Sequence, residues 1–203
     1  MAVIAGFSRS PFTPARKGYL ANSRPDDLAS KVVNNLLSDL QIDPSEIDDL
    51  LLGCAFPEAE QGYNLARVVT FLSNLPETVP GATINRFCGS SMQAIHDAAS
   101  RVNAGHGSAF IAGGVESMSR IPMTGFNPMP NPKLPSEALT SMGVTAENLS
   151  KLYGISREEQ EEFSINSHSK AHRARESGGF HDEIVPIETS DRIVDEDGCI
   201  RPE

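Results

Sequence analysis

The chain has 203 residues, an apolar fraction of 39% and no tryptophan, enough for one large or two small units around an aliphatic core. Its formal charge of −10, with no basic run, argues against nucleic acid or an anionic membrane surface as the main partner, and no apolar run approaches a membrane span. Three widely spaced cysteines form neither a C-x-x-C metal pair nor a disulfide framework, which fits a reducing, cytoplasmic setting.

Residues 2–7 are apolar, lack the features of a signal peptide and read as a strand that starts at once. A loop with Pro11 and Pro14 follows. Pro25 suits a first helical turn, Asp26 and Asp27 suit the dipole, and Leu28, Val32, Leu36 and Leu40 recur every four residues. Asp43-Pro44-Ser45 ends that helix. The run Leu50-Leu51-Leu52-Gly53-Cys54-Ala55-Phe56 reads as a strand buried on both faces, with Cys54 in the core. Leu65, Val68, Val69 and Leu72 predict a helix over 64–75, and 79–87 the next strand. The helix after it runs to Asn103 with Met92, Ile95, Ala99 and Val102 on one face, closed by Gly105 and Gly107. Residues 108–115 make a fourth strand.

Residues 1–117 therefore alternate β-α-β-α-β-α-β, the pattern of a mostly parallel sheet with covering helices. Beyond Arg120 the chain turns rich in Pro, Asn and Met, and a boundary is placed near residue 118, dividing 1–118 from 119–203. A short helix over 145–153 and a capping box, Ser156-Arg157-Glu158-Glu159, opening a polar helix to Glu176 are predicted in the second part. Gly178-Gly179 stops it, and 180–188 reads as extended.

Chemistry concentrates at Thr83-Ile84-Asn85-Arg86-Phe87-Cys88-Gly89-Ser90-Ser91-Met92-Gln93-Ala94. Cys88 falls at the carboxyl end of a strand, where parallel sheets place their sites, and at a helix N-terminus, where free N–H groups and the dipole favour a thiolate. Gly89, Ser90 and Ser91 allow a carbonyl to approach the backbone, with the N–H of Cys88 or a neighbour as an oxyanion donor. The other reading of Cys88 is a small buried apolar side chain.

His96 lies eight residues further on, too far to deprotonate the thiol, and is read as a partly buried structural histidine. His168 and His172 are spaced for one metal but have no third ligand, so a solvated helix face is preferred and no metal is expected. Glu116 is read as a buried carboxylate that accepts backbone hydrogen bonds near the cysteine loop, with a general base as the second reading.

The run Ile84-Asn85-x-x-Cys88-Gly89-Ser90-Ser91-Met92-x-Ala94-Ile95, with Val102 beyond it, resembles the nucleophile signature of thiolases. Gly53-Cys54-Ala55-Phe56-Pro57-Glu58-Ala59-Glu60-Gln61-Gly62 is similar to the second-strand loop of degradative 3-ketoacyl-CoA thiolases. Ala112-Gly113-Gly114-Val115-Glu116-Ser117-Met118-Ser119 is similar to the family's fourth strand. Met142-Gly143-Val144-Thr145-Ala146-Glu147-Asn148, Ser156-Arg157-Glu158-Glu159-Gln160 and Asp182-Glu183-Ile184-Val185-Pro186 resemble its inserted loop domain. The resemblance covers essentially the whole chain.

It implies the layered α/β/α thiolase fold, represented by its N-terminal half with the final strand missing and by part of the loop domain. It also implies an acyltransferase that cleaves 3-ketoacyl-CoA with CoA, as in fatty-acid β-oxidation, or runs the reverse condensation through an acyl-thioester on Cys88. Coenzyme A and acyl-CoA enter as substrates, with no permanently bound cofactor. Met142 is the candidate contact in the acyl and pantetheine region. A dimer or tetramer is implied, in the cytoplasm, or in mitochondria or peroxisomes of a eukaryote.

The sequence departs from the family at two points. The family's base lies in Gly-His-Pro and its second cysteine in Cys-x-Gly-Gly; neither motif occurs in these 203 residues, and Cys199, in Asp197-Gly198-Cys199-Ile200, does not match. Ser141-Met142-Gly143 stands where short-chain members have His-Met-Gly, and the segment 130–140 is short. The chain alone is therefore expected not to turn over, with a complementary C-terminal subunit as one arrangement. The alternatives are a decarboxylating ketoacyl-synthase-type enzyme and a non-catalytic subunit of a split thiolase.

Overall fold

The computed structural model describes residues 1–201. Its centre is β1 (Asp49–Gly53), in which every residue is buried and Leu50 and Leu51 are 0% exposed. β2 (Gly81–Ile84) and β3 (Phe110–Gly114) flank it in parallel, with Leu51 opposite both Ala82 and Ala112. A central parallel strand is covered on both faces, so it needs an unbroken apolar run rather than an alternating one.

Side chains alternate across the pleat, and β1 serves two clusters. Leu50 and Leu52 pack with Ala29, Val33 and Leu37 of α1 (Pro25–Leu40) and with Leu65 and Val69 of α2 (Leu65–Leu72). Leu51 packs on the other face with Ala94 and Ala98 of α3 (Ser90–Asn103). The buried stripe of α1 is thus Ala29-Val33-Leu37, one position round from the Leu28-Val32-Leu36-Leu40 row, which is half-buried.

α3 also turns a different face inward from the one its periodicity suggests. Met92 and Ile95 are 58% and 38% exposed, while the two alanines are buried. The reason is the closeness of helix and sheet. A Cβ on Gly53 would lie 2.9 Å from the Ser90 Cβ, and one on Gly114 would collide with the Ser91 hydroxyl. Only small residues fit that interface. His96, on the same helix, is exposed rather than partly buried.

Residues 2–7 do not form the first strand that their composition predicts. Val3, Ile4 and Phe7 are 80%, 79% and 70% exposed, and β3 pairs with no strand on its outer edge among the described residues. The segment is tied at both ends outside the sheet. The Ala2 N–H donates to Asn103 Oδ1 at 2.9 Å, and Arg9 pairs with the chain at Glu183 and Val185. β propensity alone does not pair a segment with a free edge when bonds at both of its ends hold it elsewhere.

The chain divides into two compact units. Residues 1–126 with 182–199 form the first, which also holds the short antiparallel pair β4 (Ile187–Glu188) and β5 (Ile193–Val194). Of the stretch predicted as extended over 180–188, only β4 is a strand. Residues 127–181 with 200–201 form the second. It contains α4 (Met142–Tyr153), capped by Ser141 and closed by left-handed Gly154, and α5 (Arg157–Glu176), opened by the Ser156/Glu159 capping box. Among the described residues, no helix is long and apolar enough to cross a membrane.

Candidate active site

Cys88 lies between the end of β2 and the first residue of α3, one position ahead of the helix cap Gly89. It is a free thiol and exposed, which favours the reactive reading over a buried apolar one. The turn that carries it is closely bonded. Gly89 N–H donates to Arg86 O at 3.1 Å and Ser90 N–H to Phe87 O at 3.0 Å. The buried Ser90 hydroxyl accepts from Arg86 N–H at 2.9 Å and donates to Phe87 O. Phe87 adopts a left-handed backbone, φ 47°, which a side chain with a Cβ takes up only under constraint.

The turn is also joined to the neighbouring loop after β1. Phe87 N–H donates to Asn85 Oδ1 at 2.9 Å, and Asn85 Nδ2 donates to Ala55 O at 3.1 Å. The Phe87 ring lies against Phe56, centroids 6.0 Å apart and tilted by 49°. The loop itself is held from within by Gln61, which is 0% exposed. Gln61 Nε2 donates to Phe56 O at 2.9 Å and to Glu116, and lies 3.3 Å from Cys54 Sγ; Gln61 Oε1 accepts from Ser117 N–H at 2.7 Å. Glu116 Oε2 accepts from Ala55 N–H at 2.8 Å.

Glu116 therefore receives one backbone hydrogen bond, from Ala55, and one from the Gln61 side chain beside the cysteine loop, and it is exposed rather than buried. Arg120 bonds both carboxylate oxygens of Glu60, and Glu58 accepts from Phe126 N–H at 2.7 Å, so the loop is anchored further along as well.

Cys54 is 1% exposed. Burial, and then the charge of Glu116, push its thiol from 9.0 up to about 12, which makes it an inert core thiol. Met142 occupies the first turn of α4 in the second unit, 69% exposed. His168 Nδ1 accepts from Arg201 N–H at 3.2 Å, and His172 lies 3.9 Å from Glu176. Cys199 is exposed, with its thiol 3.8 Å from Phe12 O. A cavity of about 430 Å³ lies beside β3, lined by Leu28, Val32, Leu36, Ala112 and Val115 among others. Cys88 is not among its lining residues, so it is an apolar cleft beside an open sheet edge and not a pocket for the thiol.

The structure thus gathers Cys88, Asn85, Gln61 and Glu116 around two adjoining loops. The sequence reading singled out Cys88 and Glu116 but gave no separate role to Gln61 or Asn85. A lone amide in a polar loop carries no sign of burial in the sequence.

A family model described as "Thiolase, N-terminal domain" matches residues 2–203. Among curated proteins, the chain is 46% identical over 199 residues to a 3-ketoacyl-CoA thiolase of Bacillus subtilis (strain 168), covering 97% of this chain and 51% of that protein. It is 41% identical over 209 residues to the 3-ketoacyl-CoA thiolase of Marinobacter nauticus and 39% over 210 to that of Stutzerimonas stutzeri, covering 54% of each and 99% and 100% of this chain. The chain spans about half the length of these relatives.

Proposed function

The chain belongs to the thiolase family, matching its N-terminal domain, and on that premise we propose that it supplies the acyl-accepting nucleophile of a 3-ketoacyl-CoA thiolase. The observation that carries this reading is Cys88, exposed on a doubly braced turn at the carboxyl end of a parallel sheet.

In the proposed reaction the Cys88 thiolate bonds to C3 of the 3-ketoacyl-CoA, and charge develops on the former ketone oxygen. The C2–C3 bond then breaks. Its electron pair stays on C2, which takes a proton and leaves as acetyl-CoA, while the acyl group remains on sulfur as a thioester. The thiolate of free CoA attacks that thioester, carries off the acyl group and regenerates the Cys88 thiolate. The N–H groups of Gly89 and Ser90 are already committed to Arg86 and Phe87. The N–H of Cys88 itself is then the donor of this turn best suited to a developing oxyanion.

Met142 is carried forward as a contact for the acyl or pantetheine part of the substrate, on the resemblance of its helix to the family's loop segment alone. Coenzyme A is a substrate here and not a resident cofactor. A role in β-oxidation, a homo-oligomer, a complementary C-terminal thiolase half and a cytoplasmic location complete the reading. The Gly-His-Pro and Cys-x-Gly-Gly groups that move protons in the family are not in these 203 residues, so a single acylation is expected of them rather than turnover.

Mass spectrometry of the 203-residue chain after incubation with acetyl-CoA is expected to show one acetyl adduct on Cys88. The Cys88→Ala variant shows none, and acetoacetyl-CoA thiolysis does not cycle. An unmodified Cys88, with label elsewhere or nowhere, overturns the assignment.

A further inference from the structure

We propose that Gln61 and Glu116 are positioning residues that set the conformation of the Phe87-Cys88 backbone through the loop of Ala55 and Phe56. The inference rests on the acyl-thioester role proposed for Cys88, but its structural half stands without it.

Neither residue bonds to the Cys88 thiol; both contact that of Cys54. Both act on one short segment. Glu116 fixes the Ala55 N–H at 2.8 Å, and Gln61 fixes the Phe56 carbonyl at 2.9 Å. The same two residues reach the nucleophile turn from their other sides. Ala55 O holds the Asn85 amide at 3.1 Å, Asn85 Oδ1 holds Phe87 N–H, and the Phe56 ring packs on the Phe87 ring. Two parallel routes, one polar and one aromatic, thus run from Gln61 and Glu116 to a residue in a left-handed conformation at φ 47°.

Such a conformation persists only when its surroundings over-determine it. Released, Phe87 relaxes toward negative φ, and the peptide plane that carries the Cys88 N–H turns with it. A fully buried polar side chain also gives up water for these bonds, so all of its partners must be met. Gln61 meets Phe56, Glu116 and Ser117 at once. It is the joint where the end of β3 and the loop after β1 are locked together.

The test compares the wild-type chain with Gln61→Ala, Glu116→Ala and Glu116→Gln. Amide hydrogen exchange at Phe87 reads the coupling directly. Exchange there is expected to speed up by about tenfold or more in both alanine variants, while the β1 amides stay protected and show that the fold is kept. Because loss of the buried Gln61 also weakens the fold, the exposed Glu116 supplies the independent arm. Glu116→Gln keeps one oxygen for Ala55 N–H and falls between. Unchanged exchange at Phe87 in Glu116→Ala with β1 intact overturns the proposal.

The chemical readout separates positioning from general loosening. Acylation of Cys88 by acetyl-CoA needs an aligned oxyanion donor and is expected to slow at least about tenfold. Alkylation by iodoacetamide develops no oxyanion and changes by less than about threefold. Equal slowing of both reactions, or acylation at the wild-type rate, overturns positioning. If wild-type Cys88 takes no acetyl group, the acyl-transfer reading fails, and the exchange measurement still decides whether Gln61 and Glu116 govern the turn.

Discussion

Cysteine chemistry in this chain is decided by where each thiol sits. Cys54 and Cys88 lie on two adjoining loops, yet one is sealed behind Gln61 and the other faces solvent. For Cys54, burial first and the Glu116 charge second hold the folded thiol at about 12 against 9.0 when free. The unfolded chain therefore gives up this proton at lower pH than the folded one. Stability is intact below pH 9 and falls as pH climbs toward about 12. Urea titrations between about pH 8 and 10.5 are expected to show this decline, and Cys54→Ala to show a shallower one; identical slopes refute it. The burial of Cys54 was legible, because it lies inside an unbroken apolar run. The burial of Gln61 was not, because nothing in a polar loop tells which side chain turns inward. Its cue is three-dimensional: a carbonyl, a carboxylate and an N–H that converge from separate segments.

At the scale of elements, periodicity located the helices and the central strand, and local packing decided their faces. α3 begins at Ser90 and ends at Asn103, as its sequence indicates, but its inward face is alanine because Gly53 and Gly114 bring the sheet so close. Residues 2–7 show the converse, a strand-like composition that pairs with no strand. The contrast is measurable. Leu50, 0% exposed between two sheet neighbours and the α1–α2 layer, is expected to cost about 2–5 kcal/mol on truncation to alanine. Val3→Ala, at 80% exposure, is expected to change stability by less than about 0.5 kcal/mol. Urea midpoints of the two variants check this, and a large loss for Val3→Ala would place residues 2–7 in a packed strand.

At the scale of the molecule, the two units differ in what holds them. The first has three apolar clusters, whereas no residue from 127 to 181 is buried. α4 and α5 therefore rest on caps and propensity, which leave isolated helices marginal. Their amides are expected to exchange at least about a hundredfold faster than those of β1, and equal protection would show a core there. The composition change near residue 118 was visible in the sequence; the return of 182–199 to the first unit was not, because Arg9 bonds to Glu183 and Asp197 across most of the chain. The sheet order has a consequence for synthesis. β1 waits at its centre for partners that begin at residues 81 and 110, so the three-stranded sheet cannot close until β3 has left the ribosome. Its apolar strand is held open through that interval, and such distant pairings form slowly. The Cys88 turn, lying between β2 and α3, is therefore set only after the strand that follows it has been made.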